Sequence, residues 1–92
     1  MRAPTERGEG SVYDAFMGRW SAAVATRFVT WLGIPPGRRW LDVGCGTGVL
    51  SAAILDHATP LEVVGVDPSV AYVARARSSV SDPLRRFLAG DA

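Results

Sequence analysis

Apolar residues occur in short blocks along the chain, and their spacing changes from helical to strand-like after the first third. Residues 11–33 carry apolar side chains every three or four positions, which predicts two N-terminal helices, the first opening at an N-cap residue, Ser11. The second helix is predicted to carry one apolar face and to end at Gly33, before two prolines. The residues of that face are Trp20, Val24, Phe28, Trp31 and Leu32. Residues 1–10 are mostly polar and charged and are predicted to form a flexible lead.

The rest of the chain alternates short apolar runs with helical segments. Runs at 38–44, 62–66 and 84–90 have the length and composition of buried strands in a parallel sheet. The segments between them, 49–58 and 69–80, have helical spacing. The helix residues expected to face inward are Leu50, Ala53, Ile54, Ala58, Val70, Val73 and Ala74. Strands joined by helices imply parallel crossovers, so the predicted fold class is α/β: the first β-α-β-α-β half of a Rossmann-like doubly wound parallel sheet, preceded by the two N-terminal helices.

Composition narrows the classes of partner. Hydrophobic residues make up 48% of the 92 residues, which is enough for one small packed domain. All ten basic residues are arginine, against nine acids, so the net charge of +1 gives no electrostatic case for binding nucleic acid or a membrane surface. A single cysteine, Cys45, excludes an internal disulfide and a cysteine metal site and fits a reducing compartment. No stretch reaches the roughly 20 apolar residues of a membrane helix, so we expect a soluble, cytoplasmic protein.

The glycine-rich loop after the first predicted strand is the clearest functional feature. The stretch LDVGCGTG places Gly44, Gly46 and Gly48 where a strand turns into a helix, a turn that needs unusual backbone angles and leaves room for a ligand to approach closely. The helix that opens there offers unpaired N–H groups. Asp67 ends the second strand, 23 positions after Gly44, where a carboxylate can accept the hydrogens of both ribose hydroxyls. Together these residues indicate a nucleoside-containing cofactor.

Two features favour a nucleoside with a cationic arm over a dinucleotide. The dinucleotide pattern places its third glycine at position 49, where this chain has Val49, one residue after Gly48. Asp42 lies two residues before Gly44, so its charge should lie beside the loop, where it would repel a pyrophosphate and attract an ammonium group.

These motifs resemble those of a known family. LDVGCGTG is similar to the first motif of class I S-adenosylmethionine-dependent methyltransferases, VVGVDPS to the second, and FLAGDA to the opening of the third. The resemblance covers residues 38–92, and YDAFMGRWS is similar to the segment that precedes the core in small-molecule methyltransferases of this class. It implies S-adenosylmethionine as the cofactor, residues 38–92 as a truncated half-domain that binds it, and residues 11–33 as helices that cover the cofactor site.

The resemblance also assigns residues to the methionine and ribose portions of the cofactor. It implies that the backbone of Gly44, Cys45 and Gly46 lines the methionine portion, with Asp42 near the amino group. Asp67 would hold the ribose hydroxyls.

Further residues are assigned by the same resemblance to the adenosine and to the cover of the site. Asp91 would accept a hydrogen bond from the adenine amino group. Tyr13 and Arg19 would close over the cofactor from the N-terminal helices, with Arg19 toward the cofactor carboxylate. The other residues implied to flank the adenosine are Pro68, Ser69 and Ala92.

Simpler explanations stay open for several of these residues. The glycines could serve only a tight turn, Asp67 could only cap the next helix, and Asp42 could only accept loop N–H groups. Cys45 has no histidine arranged beside it and is expected to be a small loop residue, with His57 on the surface. The aromatic residues of the second N-terminal helix are expected to be core or cover. Four arginines are expected on solvated faces, namely Arg75, Arg77, Arg85 and Arg86.

Three functional hypotheses follow. The preferred one is the cofactor-binding half of a methyltransferase that moves a methyl group from the sulfonium to an unidentified, small-molecule acceptor, with no residue named as a catalytic base. The others are a non-catalytic S-adenosylmethionine-binding fragment and a fragment of an NAD-dependent oxidoreductase. The first strand would be central in the usual strand order of the family, yet one of its edges has no partner here. We therefore expect a fragment that alone is inactive and binds cofactor weakly, or self-associates through that edge.

Overall fold

The computed structural model describes the backbone of residues 7–91 and the side chains of residues 20–91. Within this part of the chain, one long helix precedes three strands that alternate with two shorter helices. The elements are α1 (Arg7–Leu32), β1 (Arg39–Val43), α2 (Val49–His57), β2 (Glu62–Asp67), α3 (Val70–Ser79) and β3 (Arg85–Ala89).

The three strands form one parallel sheet in the order β1-β2-β3. Asp42 of β1 is opposite Gly65 of β2, and Gly65 is opposite Phe87 of β3. Each pair of neighbouring strands is joined through a helix, as parallel pairing requires. The predicted α/β fold class, the first half of a Rossmann-like sheet, is confirmed.

The N-terminal region forms one helix instead of the two predicted. α1 runs through Gly18 without a break. One glycine inside a helix costs only about 1 kcal/mol relative to alanine, which is not enough to end the helix. The helix ends where Gly33 adopts a φ of 61° and donates its N–H to the Thr30 carbonyl at 3.2 Å. It already includes residues 7–10 of the predicted lead, and residues 1–6 lie outside the described part. No helix described here is both long enough and apolar enough to cross a membrane.

All three helices pack on the same face of the sheet. Val63 of β2 belongs to a cluster with α1 and α2, whereas Phe87 of β3 belongs to a cluster with α3. Val63 and Gly65 point to the same side of β2, and Gly65 is opposite Phe87, so both clusters lie on one side. The buried residues of the two clusters are Ala25, Val29, Ala53, Ile54 and Val63, and Cys45, Val73, Ala76, Val80 and Phe87.

α1 contacts the core through Ala25 and Val29, and its aromatic residues, which were expected to be core or cover, do not belong to the core. Ala25 and Val29 are buried, whereas Trp20 and Trp31 are 58% and 79% exposed. Residues 20–32 are apolar around most of the helix, so their periodicity does not single out one face. The small Ala25 side chain lets α1 approach α2 closely, which the aromatic side chains would prevent.

The inward face of α2 is as expected, but the one predicted for α3 is only partly correct. Ala53 and Ile54 are buried in α2. In α3, Val73 and Ala76 are buried, while Val70 and Ala74 are exposed. Val70 is the first residue of its helix, where it lies beyond the core cluster.

Of the four arginines expected on solvated faces, Arg77 is exposed as predicted and Arg85 is half-buried, and both bind backbone carbonyls. Arg77 donates from Nε and Nη2 to the Phe87 carbonyl at 3.2 and 2.7 Å, which ties α3 to β3. Arg85 donates from Nε to the Val80 carbonyl at 2.7 Å, and its guanidinium lies 5.7 Å from the centre of the Phe87 ring. Arg75 and Arg86 are exposed as predicted, and the pairing of Arg86 with Glu62 at 3.9 Å is of the surface kind that contributes at most about 1 kcal/mol.

The opposite face of the sheet carries apolar side chains that no described helix covers. Leu41 and Val43 of β1 are 63% and 59% exposed. β1 also pairs only with β2 among the described strands, as expected for the unpaired edge. The apolar residues of this face are Leu41, Val43, Val64, Val66 and Leu88.

Gly65 at the centre of the sheet allows a close contact between two residues of the core. A Cβ atom at this position would lie 2.7 Å from Cδ1 of Phe87 and 2.9 Å from Cβ of Cys45. The missing side chain therefore lets the Phe87 ring and the loop residue Cys45 meet above β2.

We expect Gly65→Ala to lower the free energy of unfolding by about 1–3 kcal/mol, because the added methyl group overpacks the contact between the Phe87 ring and Cys45. Urea unfolding of the purified chain measures this change. In a Phe87→Leu background the same substitution should cost less, since the ring atoms nearest to the new methyl group are gone. An equal cost in both backgrounds would contradict this account of Gly65.

Candidate functional site

The loop between β1 and α2 alternates residues that face open space with residues that are anchored in the core. Gly44 and Gly46 have φ angles of 73° and 56°, and a Cβ at either would meet nothing within 4 Å. Cys45 is buried between them. A Cβ at Gly48 would lie 3.0 Å from Cγ2 of Val80, so this glycine is required by packing against the end of α3 as well as by its φ of 92°. The loop thus presents open backbone at Gly44 and Gly46.

Backbone hydrogen bonds fix this loop to the end of β2. The N–H groups of Gly44 and Cys45 both donate to the Val66 carbonyl, at 2.8 and 3.0 Å. α2 begins at Val49 with Gly48 as its N-cap, which makes no side-chain hydrogen bond to the first turn. The backbone N–H of Ser51, the third residue of α2, hydrogen-bonds the Asp42 carboxylate.

Asp67 joins the loop to the turn after β2. Its Oδ2 accepts from the Gly46 N–H at 2.9 Å and its Oδ1 from the Ser69 N–H at 2.8 Å. The side chain that caps α3 is that of Ser69, which accepts from the Tyr72 N–H at 3.2 Å. Each carboxylate oxygen can accept more than one hydrogen bond, so both retain capacity for a ligand.

Asp42 is a buried carboxylate, 7% exposed, at the end of β1. Its Oδ2 accepts from the Ser51 hydroxyl of α2 at 2.8 Å. Burial raises the pKa of Asp42, and hydrogen bonding by Ser51 opposes that rise. Ser51 was not predicted from the sequence; the available signal was one hydroxyl residue within the apolar run VLSAAIL.

A cleft of about 460 Å³ separates α1 from the glycine loop. One wall consists of α1 side chains, and the other of β1, the loop and the start of α2. Trp20 and Phe28 therefore line a cleft, in keeping with their expected role as cover, while Trp31 stacks on Phe28 with ring centres 6.3 Å apart. The lining residues are Trp20, Ser21, Val24, Ala25, Phe28, Asp42, Val43, Gly44, Cys45, Val49 and Leu50.

The structure describes some of the remaining predicted site residues and not others. Pro68 and Asp91 are exposed at the same edge of the sheet, beyond β2 and β3. The Gly90 N–H donates to the Asp67 carbonyl at 3.0 Å, which brings the segment before Asp91 to the end of β2. The side chains of Tyr13 and Arg19, and all of Ala92, lie outside the described residues.

Cys45 is a buried loop residue and His57 lies on the surface, the positions expected from the sequence. Burial raises the pKa of the Cys45 thiol, as do the nearby carboxylates of Asp42 and Asp67, so the thiol form is favoured. His57 is exposed at the last turn of α2. No three metal-ligating side chains come together within residues 20–91.

Comparison with known families gives a match over most of the sheet. The family described as Methyltransferase domain matches residues 41–92, more than half of the chain. No similar sequence was found among curated proteins.

Several solved structures are similar to this chain. A chain of the Haloferax volcanii complex that contains the Trm112 methyltransferase activator gives a TM-score of 0.72 at 26% identity, over 86% of this chain and 35% of that one. S-adenosylmethionine-dependent methyltransferases from Geobacter sulfurreducens and Thiobacillus denitrificans, both in complex with S-adenosyl-L-homocysteine, give TM-scores of 0.61 and 0.60 at 32% and 27% identity. Each alignment covers 74% of this chain, and 28% and 29% of the two structures.

This chain therefore spans about a third of the length of the structures it resembles. S-adenosylmethionine, the cofactor expected from the sequence, is the cofactor of the two methyltransferases just described. The parallel sheet and the glycine loop are consistent with the family match over residues 41–92. The chain belongs to the methyltransferase-domain family of class I S-adenosylmethionine-dependent methyltransferases.

Proposed function

We propose that this chain binds S-adenosylmethionine along the carboxyl ends of β1 and β2 and acts as the cofactor-binding part of a methyltransferase with a small-molecule acceptor. The observation that carries the proposal is the contact between the Gly46 N–H and the Asp67 carboxylate at 2.9 Å. It holds an open glycine backbone and a strand-end carboxylate side by side, the arrangement that a nucleoside requires.

The ribose is proposed to bind at Asp67. The two oxygens of this carboxylate are already fixed by N–H groups of Gly46 and Ser69, so the side chain is oriented before a ligand arrives. Two neighbouring ribose hydroxyls can donate to the remaining lone pairs of such a carboxylate. Pro68, Ser69 and Asp91 lie at the same edge, where the adenosine would extend toward β3.

The methionine portion is proposed to bind in the cleft beside Gly44 and Asp42. The open backbone of Gly44 leaves room for close approach, and the Asp42 carboxylate lines the same cleft. An ammonium group there would provide a positive partner for a carboxylate whose charged form burial disfavours. A pyrophosphate in this position would be repelled, which supports S-adenosylmethionine over NAD.

Methyl transfer needs little covalent assistance from the protein. When bound, the cofactor would supply a methyl group on a positively charged sulfur, which is a good leaving group. The residues described here would orient the cofactor, and α1 would keep water from one side of the cleft. Fixed alignment of donor and acceptor can supply much of the rate acceleration in such a reaction.

A small acceptor is supported by the α1 wall of the cleft and by the overall charge. Trp20, Val24 and Phe28 form an apolar wall, and the net charge of +1 offers no field for nucleic acid. A cytoplasmic location and self-association through the β1 edge stay predictions made from the sequence.

We expect the 92-residue chain to bind S-adenosylhomocysteine in isothermal titration and to show no comparable heat with NAD. Asp67→Asn should weaken binding by roughly 10-fold or more, since hydrogen bonds to a charged group contribute about 1.5–3 kcal/mol each. The exposed Asp56→Asn serves as the matched control and should bind like the unsubstituted chain. Tighter binding of NAD, or equal losses in the two variants, would refute the proposed site.

We expect Asp42→Asn to stabilise the ligand-free chain near neutral pH while weakening S-adenosylhomocysteine binding. The pKa of folded Asp42 lies above its ordinary value of 3.8, so its contribution to stability is present below 3.8 and is lost as the pH rises through the folded pKa. The gain from Asn should therefore be largest near neutral pH and shrink on acidification, as measured by urea unfolding across this range. A loss of stability at neutral pH would contradict this reading of Asp42.

A further inference from the structure

We infer that Ser51 is a positioning residue of the cofactor site: its hydroxyl holds the Asp42 carboxylate in the orientation that the ammonium group of the cofactor requires. This inference rests on the proposed function. Ser51 does not line the cleft, and its effect would pass through Asp42.

The position of Ser51 directs its hydroxyl at the Asp42 carboxylate. It is the third residue of α2, fully buried, and directed at β1, with Oγ 2.8 Å from Oδ2 of Asp42. Serine hydroxyls within helices commonly donate to the carbonyl four residues earlier. Here the hydrogen is donated instead to the carboxylate, nine residues back along the chain and across the glycine loop.

This contact makes the two oxygens of Asp42 unequal. Ser51 occupies Oδ2, and it is the side chain that donates to Asp42 among the described residues. Oδ1 accepts from no described side chain, so it is the less occupied oxygen for a group in the cleft. Without the hydroxyl, the carboxylate would keep the hydrogen bond of the Ser51 backbone N–H but would lose the side-chain donor that holds Oδ2.

The surroundings of Asp42 contain no described cation that could take over this role. The titratable groups near it are the Cys45 thiol in the loop and, beyond that, the Asp67 carboxylate at the end of β2. The described α1 residues on the opposite wall, from Trp20 to Phe28, contribute uncharged side chains to the cleft. Burial raises the pKa of Asp42, and Ser51 is the group that counteracts this rise.

A purely structural explanation predicts different behaviour. Ser51 lies beside Ala53 and Ile54 in a tightly packed region, where an alanine would fit without a clash. If the hydroxyl only stabilised the fold, its removal would affect every ligand of the site alike. If it positions Asp42, its removal should affect only ligands that carry the amino group.

The test compares S-adenosylhomocysteine with 5′-methylthioadenosine, which keeps the nucleoside and the sulfur but lacks the amino-acid portion. Isothermal titration of the full 92-residue chain would be performed between about pH 5 and pH 8. Ser51→Ala should weaken S-adenosylhomocysteine binding by about 10-fold, the effect of one hydrogen bond to a charged group, and leave methylthioadenosine binding within about 2-fold. The loss of S-adenosylhomocysteine affinity on acidification should also begin at a higher pH.

Two further variants secure the interpretation. Ser51→Cys keeps the shape of the side chain but donates only weakly, so it should behave like Ser51→Ala even if alanine loosens the packing. Ser78→Ala, on the exposed face of α3, should leave both affinities unchanged. Thermal unfolding of each variant verifies that the chain is folded.

The outcomes separate this inference from the proposed function. Equal losses for the two ligands, or no loss with S-adenosylhomocysteine, would overturn the role of Ser51 while leaving the cofactor site in place. An unsubstituted chain that binds neither ligand would overturn the proposed function, and the inference with it.

Discussion

The carboxylate of Asp67 fixes the relative position of the two turns that form the site, and the rest of the site depends on it. One side chain accepts the Gly46 N–H from the first turn and the Ser69 N–H from the second. Both turns follow parallel strands, whose carboxyl ends lie at the same edge of the sheet. A short loop without charged side chains can therefore be held rigidly at this edge, leaving its backbone open to a ligand.

The core beneath this edge determines which loop residues are open. Cys45 packs with Phe87 and α3, and this contact is possible because Gly65 has no side chain between them. Gly48 is likewise enclosed by the end of α3. The loop is thus anchored at Cys45 and Gly48, which leaves Gly44 and Gly46 as the residues that face open space. The same contacts therefore pack the helices on the sheet and leave the loop backbone open to a ligand.

The three strands, the two helices between them and the glycine loop could be predicted from the sequence, because glycine turns and short buried strands are local signals. The buried face of α1 could not be predicted, since residues 20–32 are apolar around most of the helix and only the tertiary contact selects Ala25 and Val29. The sequence around Arg77 does not indicate that its side chain binds a backbone carbonyl of β3. Ser51 was missed for a similar reason: its partner lies on another element, and a serine in an apolar helix is otherwise unremarkable.

Asp42 shows how the stability of the fold and the function of the site oppose each other. The residue opposite it in the sheet is Gly65, and α2 covers it, so its carboxylate is largely removed from water. Burial disfavours the charged form, and the hydroxyl and backbone N–H of Ser51 offset only part of that effect. A carboxylate in this position lowers stability in the absence of ligand, and the same desolvation strengthens its attraction for a cation that enters the cleft. The feature that weakens the empty fold is thus the one that would favour a ligand bearing an ammonium group over one bearing a phosphate.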